Sequence, residues 1–217
     1  AAWPRGERLA STTIAGGGRI TMSGNLSADN DSYTNAPTIT GGTLAISATN
    51  GALAANVTGS APVGLIISST LGTMAGGVNK TGGGVLALNA NNRTAFTGTN
   101  GVNVTGGTVR VDNINALGTN AAITTLAAGT TLLSNNTGSI TGGLSLKGGT
   151  LASMVSSTTF VGAANISGSS ASTINLADQY LPTVGRGITL SGAISGTGAV
   201  TIVGPGTLSA TNTGTPT

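Results

Sequence analysis

Cys and His are both missing from the 217 residues, so the charged side chains able to do acid–base or ligand chemistry reduce to five acids and eight bases. The acids are Glu7, Asp29, Asp31, Asp112 and Asp178. Metal centres built on imidazole or thiolate, Cys or Ser/His nucleophiles and disulfides are excluded at once. Polysaccharide lyases and hydrolases need paired carboxylates, or a carboxylate-bound calcium with a base nearby. Only Asp29 and Asp31, in Ala28-Asp29-Asn30-Asp31-Ser32-Tyr33, are close enough to form such a pair. They lack the Gly and distal Glu of the helix-loop-helix calcium pattern and the glycine-aspartate nonapeptide of calcium-binding β-rolls. We read them as a solvated turn, and Asp112, which follows an outward Arg110, as a surface charge. Met74 to Thr81 has Met74 and Asn79 where a phosphate loop requires glycines, and a strand follows it. No catalytic residue, metal or cofactor is expected.

The bases exceed the acids by three without forming a cluster, which removes the electrostatic footprint of a nucleic-acid binder. No apolar run reaches the roughly 20 residues of a membrane-spanning helix. The start at Ala1-Ala2-Trp3-Pro4-Arg5 reads as a processed or excised chain. Several Asn-X-Ser/Thr triplets occur, among them those at Asn25, Asn56, Asn79, Asn92, Asn103 and Asn165; a chain this rich in Asn, Ser and Thr holds many by chance, and no glycosylation is assigned.

The elements that must carry these residues are short strands. The chain holds 37 Gly, 6% charged and 2% aromatic residues, with 38% hydrophobic residues. Its mean hydropathy of +0.28 sets it apart from disordered chains, and Gly does not recur every third residue as in collagen. Apolar residues alternate with small polar ones between Gly or Asn boundaries. Val109 and Val111 share one side of Gly107 to Asp112; Leu86 and Leu88 pair in the same way, as do Leu144 and Leu146. One helical turn is expected near Leu176 to Tyr180.

A Gly-Gly-Thr-aliphatic signature appears at Gly41 to Leu44, Gly106 to Val109 and Gly148 to Leu151. Its separations are close to three and two multiples of a unit of roughly 21–22 residues, an interval that suits a solenoid coil. A second register links Gly77 to Ala87 with Ala199 to Ser209. The expected fold is all-β, a right-handed parallel β-helix of roughly ten coils of about 21 residues, filling 1–217 as a single domain. Gly, Asn and Ser would make the turns, and Val, Leu and Thr the strands. Asn89-Ala90-Asn91-Asn92 and Asn113-Ile114-Asn115 read as corners with stacked amides.

The segment from Leu71 to Leu132 resembles the autotransporter-associated β-strand repeat of large bacterial surface proteins. The resemblance rests on Lys80-Thr81-Gly82-Gly83-Gly84-Val85-Leu86-Ala87-Leu88, Phe96-Thr97-Gly98, Val104-Thr105-Gly106-Gly107-Thr108-Val109-Arg110-Val111 and Ala116-Leu117-Gly118. A second copy opens at 193–217 and stops before its Gly-Gly-Thr strand. The resemblance implies a parallel β-helix in an exported stalk, passenger or fibre, with no reaction of its own. The chain is then a piece of a longer solenoid, or a subunit completed by something else.

The expected function is therefore structural: a non-catalytic segment of an extracellular bacterial fibre or surface stalk, its partner a further copy or further coils stacked end to end. Residues 1–18 would form a cap or an interface segment. Trp3, Arg5 and Arg8 at one end, with Thr213 and Thr215 at the other, are the candidate interface residues. The alternative is an adhesin passenger binding carbohydrate or protein of a cell surface or matrix, through Arg93, Arg110 and Lys147 if they project outward. Carbohydrate lysis is a further alternative, and so is ice binding. The latter needs Thr-X-Thr pairs once per coil, and Thr38/Thr40, Thr97/Thr99 and Thr211/Thr213 do not recur at the coil interval.

Overall fold

Strands of two to seven residues separated by glycine-rich turns dominate the computed structural model, which describes residues 13–22, 25–31, 35–47, 51–96, 98–119 and 121–211. No helix occurs among the described residues. Parallel strands need a long crossover between them. Here that crossover is the rest of the coil, which passes over two other faces before the chain returns to pair with itself. The result is a parallel β-solenoid.

The first sheet has nine strands in chain order along the rod: Thr13–Ala15, Thr38–Thr40, Leu65–Ile67, Val85–Leu88, Thr108–Val111, Thr131–Ser134, Thr150–Ser153, Ser172–Asn175 and Val200–Val203. The second has eight: Asn25–Asp29, Ala52–Thr58, Gly77–Thr81, Asn100–Val104, Ile123–Ala127, Gly143–Lys147, Ala164–Ile166 and Ile194–Ser195. The third face is split. Arg19–Met22, Thr43–Ile46 and Thr70–Leu71 form one short sheet, and Ser139–Ile140, Ser157–Phe160, Gly187–Leu190 and Thr207–Ala210 form another. Turns through Asn92 and Asn115 occupy this face between them.

The core is a set of in-register rows. On the first sheet Leu65, Leu86, Val109, Leu132, Leu151 and Ile174 lie one above another, all buried. Val109 and Val111 point inward as the alternation predicts, and so do Leu86 with Leu88 and Leu144 with Leu146.

Successive members of this row are unevenly spaced along the chain. The step from Leu86 to Val109 equals that from Val109 to Leu132, the step on to Leu151 is shorter, and the step from Ile174 to Ile202 is the longest of these. The expected ten even coils are thus replaced by about eight of unequal length, because corners absorb extra residues without disturbing the rows. At about 4.8 Å per rung the stack is on the order of 40 Å long.

The Gly-Gly-Thr signature marks a kind of corner, not a fixed place in the coil. Thr108 and Thr150 lie in register on the first sheet through Thr131, whereas Thr43 is on the third face, paired with Arg19 and Thr70. The interval between Gly41 and Gly106 therefore joins two different faces. The second register behaves alike: Val85–Leu88 belongs to the first sheet and Thr207–Ala210 to the third face. At Gly107 the reason for glycine is plain. Its φ is +66°, and a Cβ there would lie 2.4 Å from the carbonyl oxygen of Gly84 in the preceding coil.

The expected helical turn near Leu176 to Tyr180 is absent. Asp178 Oδ1 accepts the backbone N–H groups of Tyr180 and Leu181, each at 2.8 Å, and turns the chain into a short loop instead.

Candidate functional site

The four described acids are all engaged by neighbouring groups. Asp29 accepts a hydrogen bond from the Thr58 hydroxyl (3.0 Å), and Asp31 accepts from the Ser60 N–H (2.9 Å) and hydroxyl (3.1 Å), so each carboxylate clips its own coil to the next. Asp112 takes Arg110 in a two-pronged pair (2.8 and 2.6 Å) and also accepts from the Asn135 amide (2.9 Å). Asp178 pairs with Arg186 (Nε to Oδ2 2.8 Å), and that hydrogen bond, followed by those from Tyr180 and Leu181, holds its carboxyl below the usual carboxylate range. Among the described residues no three acids come together as a metal site.

One base occupies a place that its type does not suggest. Lys80 lies in the inward row Lys80, Val104, Leu126, Leu146 and Ile166 of the second sheet, with no solvent exposure. Its stem fills the core, and its Nζ donates to the carbonyls of Thr81 (2.7 Å), Gly82 (2.7 Å) and Gly106 (2.9 Å). All three ammonium hydrogens are thereby used, and two successive glycine corners are tied together. Burial lowers its pKa from 10.5 to about 8. The only signal in the sequence is its parity with the inward Val78.

The asparagine corners are built differently from a stack of amides. Buried Asn92 accepts the Leu71 N–H (2.9 Å) and donates to the Ala116 carbonyl (3.1 Å), so one side chain joins three coils through their backbones. A buried hydroxyl cluster, in which Thr158 bonds to Ser134 (2.9 Å) and Ser153 (3.0 Å), closes another corner.

The outer face of the second sheet is the most site-like surface. Asn79, Asn103, Thr125, Ser145, Asn165 and Ser195 stand in register on six consecutive strands. They line a groove of about 730 Å³ with Ile123, Gly143 and Lys147 along its sides. The Asn103 amide donates to Asn79 (3.3 Å) and the Asn165 amide to Ser195 (3.2 Å). Thr125 and Ser145, between these pairs, have no partner for their hydroxyls among the described residues. The row is hidden in the sequence because its members are far apart in the chain and unevenly spaced.

Of the three cations considered for surface binding, Lys147 is exposed beside this groove, Arg110 lies on the first sheet bound to Asp112, and Arg93 is exposed in the turn after Asn92. They occupy three separate elements. Trp3, Arg5, Arg8, Thr213 and Thr215 lie outside the described residues. The first sheet carries an outward row of threonines, Thr108, Thr131, Thr150, Thr173 and Thr201. Two residues beyond each of them stand Arg110, Leu133, Ala152, Asn175 and Val203, so no Thr-X-Thr pair forms along it.

At the last described coil the inward row reaches Ile202, which is 54% exposed where Ile174 before it is buried. Val200 and Val203 are exposed beside it. At the opposite end of the same sheet Ile14, in register with buried Ile39, is 39% exposed. No protein-family model matches the chain, and no curated protein or solved structure matches it.

Proposed function

We propose that this chain is a structural, non-catalytic segment of an extracellular bacterial fibre or surface stalk of the autotransporter-associated type, joined end to end with further coils. The observation that carries the reading is the exposure of Ile202 in a row that is otherwise core. One coil cannot sustain its own order, because ordering about 20 residues costs roughly 20–40 kcal/mol of backbone entropy and a handful of buried aliphatics returns less. Stability in such a stack comes from the next coil. Among the described residues, the strand Val200–Val203 presents both apolar side chains and an unpaired edge to whatever follows it. With charged residues at 6% of the chain, little electrostatic repulsion opposes that contact.

The expected partner for a free chain is a second copy that places its Thr13–Ala15 edge on Val200–Val203. Sedimentation velocity over a wide concentration range, with electron microscopy of the concentrated sample, tests this. Association into rods that Ile202→Lys abolishes is the expected result. A chain that remains monomeric at high concentration overturns the reading.

A further inference from the structure

We infer that the groove on the outer face of the second sheet binds an uncharged polysaccharide chain lying along the rod axis, with one side chain of the row Asn79, Asn103, Thr125, Ser145, Asn165 and Ser195 meeting it at each rung. This rests on the groove alone and is independent of end-to-end assembly; it gives the adhesin alternative a definite surface and ligand class.

The chemistry of the lining selects the ligand by elimination. Every member of the row is an amide or a hydroxyl, able both to donate and to accept. No carboxylate lines the groove, and Lys147 is its sole charge among the described residues. A polyanion would need several cations, so nucleic acid and sulfated glycans are disfavoured. A lipid or apolar ligand would need an apolar floor, and the only large exposed apolar side chain in the lining is Ile123, 40% exposed. A peptide adds to a sheet at its edge, through free backbone groups. Here the strands are inner members of a ladder whose backbone groups are already paired, apart from Ile194–Ser195 at the sheet's end.

A neutral polyhydroxyl chain meets each of these conditions. Its hydroxyls match a periodic set of donors and acceptors, and the apolar face of a sugar ring can rest on Ile123. The centre of the row holds unspent capacity, since the hydroxyls of Thr125 and Ser145 have no partner among the described residues while the amides on either side of them are paired. Gly143, in register with Ile123 on the adjoining strand, brings no side chain into the groove. Six rungs at about 4.8 Å make a row roughly 24 Å long, an extended site and not a single-sugar pocket.

Calorimetric titration of the whole chain with uncharged hexasaccharides of glucose, in β-1,4 and α-1,4 linkage, and of N-acetylglucosamine tests the inference, with a heparin hexasaccharide as the polyanion. At least one neutral hexasaccharide is expected to bind, and its disaccharide about tenfold or more weaker, since each lost rung removes a hydrogen bond worth about 1 kcal/mol. Ser145→Arg fills the groove from an outward position and is expected to weaken binding about tenfold or more at an unchanged melting temperature. Ile123→Ala, a truncation that leaves the row intact, is expected to weaken it several-fold. Binding of heparin alone, binding of no neutral hexasaccharide, or neutral binding that neither variant affects overturns the assignment.

Discussion

Replacing Lys80 by Met keeps an unbranched apolar stem in the core of the second sheet and removes the ammonium that holds three carbonyls. Hydrogen bonds to a charged donor are worth about 1.5–3 kcal/mol each, so the clasp on Thr81, Gly82 and Gly106 is worth about 4–9 kcal/mol. Against this stands the burial of the charge. A pKa lowered from 10.5 to about 8 corresponds to roughly 3 kcal/mol against the charged form at neutral pH. The carbonyls of the half-buried Gly82 and Gly106 regain some water in the variant, which brings the net loss to about 3 kcal/mol. For a chain of this size that lowers the melting temperature by about 6–12 °C. Thermal unfolding followed by circular dichroism at pH 7 measures it, and a Met variant that melts with or above the wild type refutes the clasp as a stabilising element. The pH dependence adds a second reading. Because the folded pKa lies below that of the unfolded chain, the unfolded state binds more protons between pH 8 and 10.5, so wild-type stability rises across that window. Met at this position does not titrate, and the gap between the two proteins should widen from pH 8 upward. A gap that narrows there would place the folded pKa above that of the unfolded chain and refute the lowering by burial.

Two other substitutions probe single features of the coils. Thr124 is fully buried, and its hydroxyl has no hydrogen-bond partner among the described residues, so Thr124→Val should stabilise the fold by about 1–2 kcal/mol, seen as a higher denaturant midpoint; a lower midpoint would count against the unpartnered hydroxyl. Asp178, held below its usual pKa first by Arg186, organises the loop that exposes Tyr180 and Leu181. Its contribution is present above the ordinary Asp pKa and is lost as pH falls through the lowered value. Asp178→Asn should speed hydrogen exchange at the Tyr180 and Leu181 amides at neutral pH, and unchanged protection would remove the carboxylate from that role.

What can be read in advance follows the range of each interaction. Alternation within a strand depends on the next residue but one, so Val109 with Val111 and Leu144 with Leu146 are legible as core from the sequence. Their stacking depends on how much chain each corner contains, and no local pattern states that. Coils as unequal as those closing at Leu151 and at Ile202 keep one register because hydrogen bonding along the ladder, not chain length, aligns them. Hence the Thr43 signature falls on a different face from Thr108, and the polar row of the second sheet is invisible until the coils are superposed. Lys80 is hidden for another reason. Its inward parity is present in the sequence, but the cost of burying an ammonium argues against it until the carbonyls of two glycine corners are seen to converge on Nζ.

The coil geometry also sets how the rod responds to tension. A coil such as that from Leu86 to Val109 occupies about 4.8 Å of axial length while folded. Drawn out as a single strand at about 3.3–3.6 Å per residue, the same coil reaches about 76–83 Å. Pulling on the ends would peel one coil at a time from an exposed edge, each release multiplying the local length roughly fifteenfold while the remaining stack stays closed. A rod of this kind yields in discrete, lengthening steps under load, so a force–extension trace should be a sawtooth of unequal teeth that follow the unequal lengths of its coils.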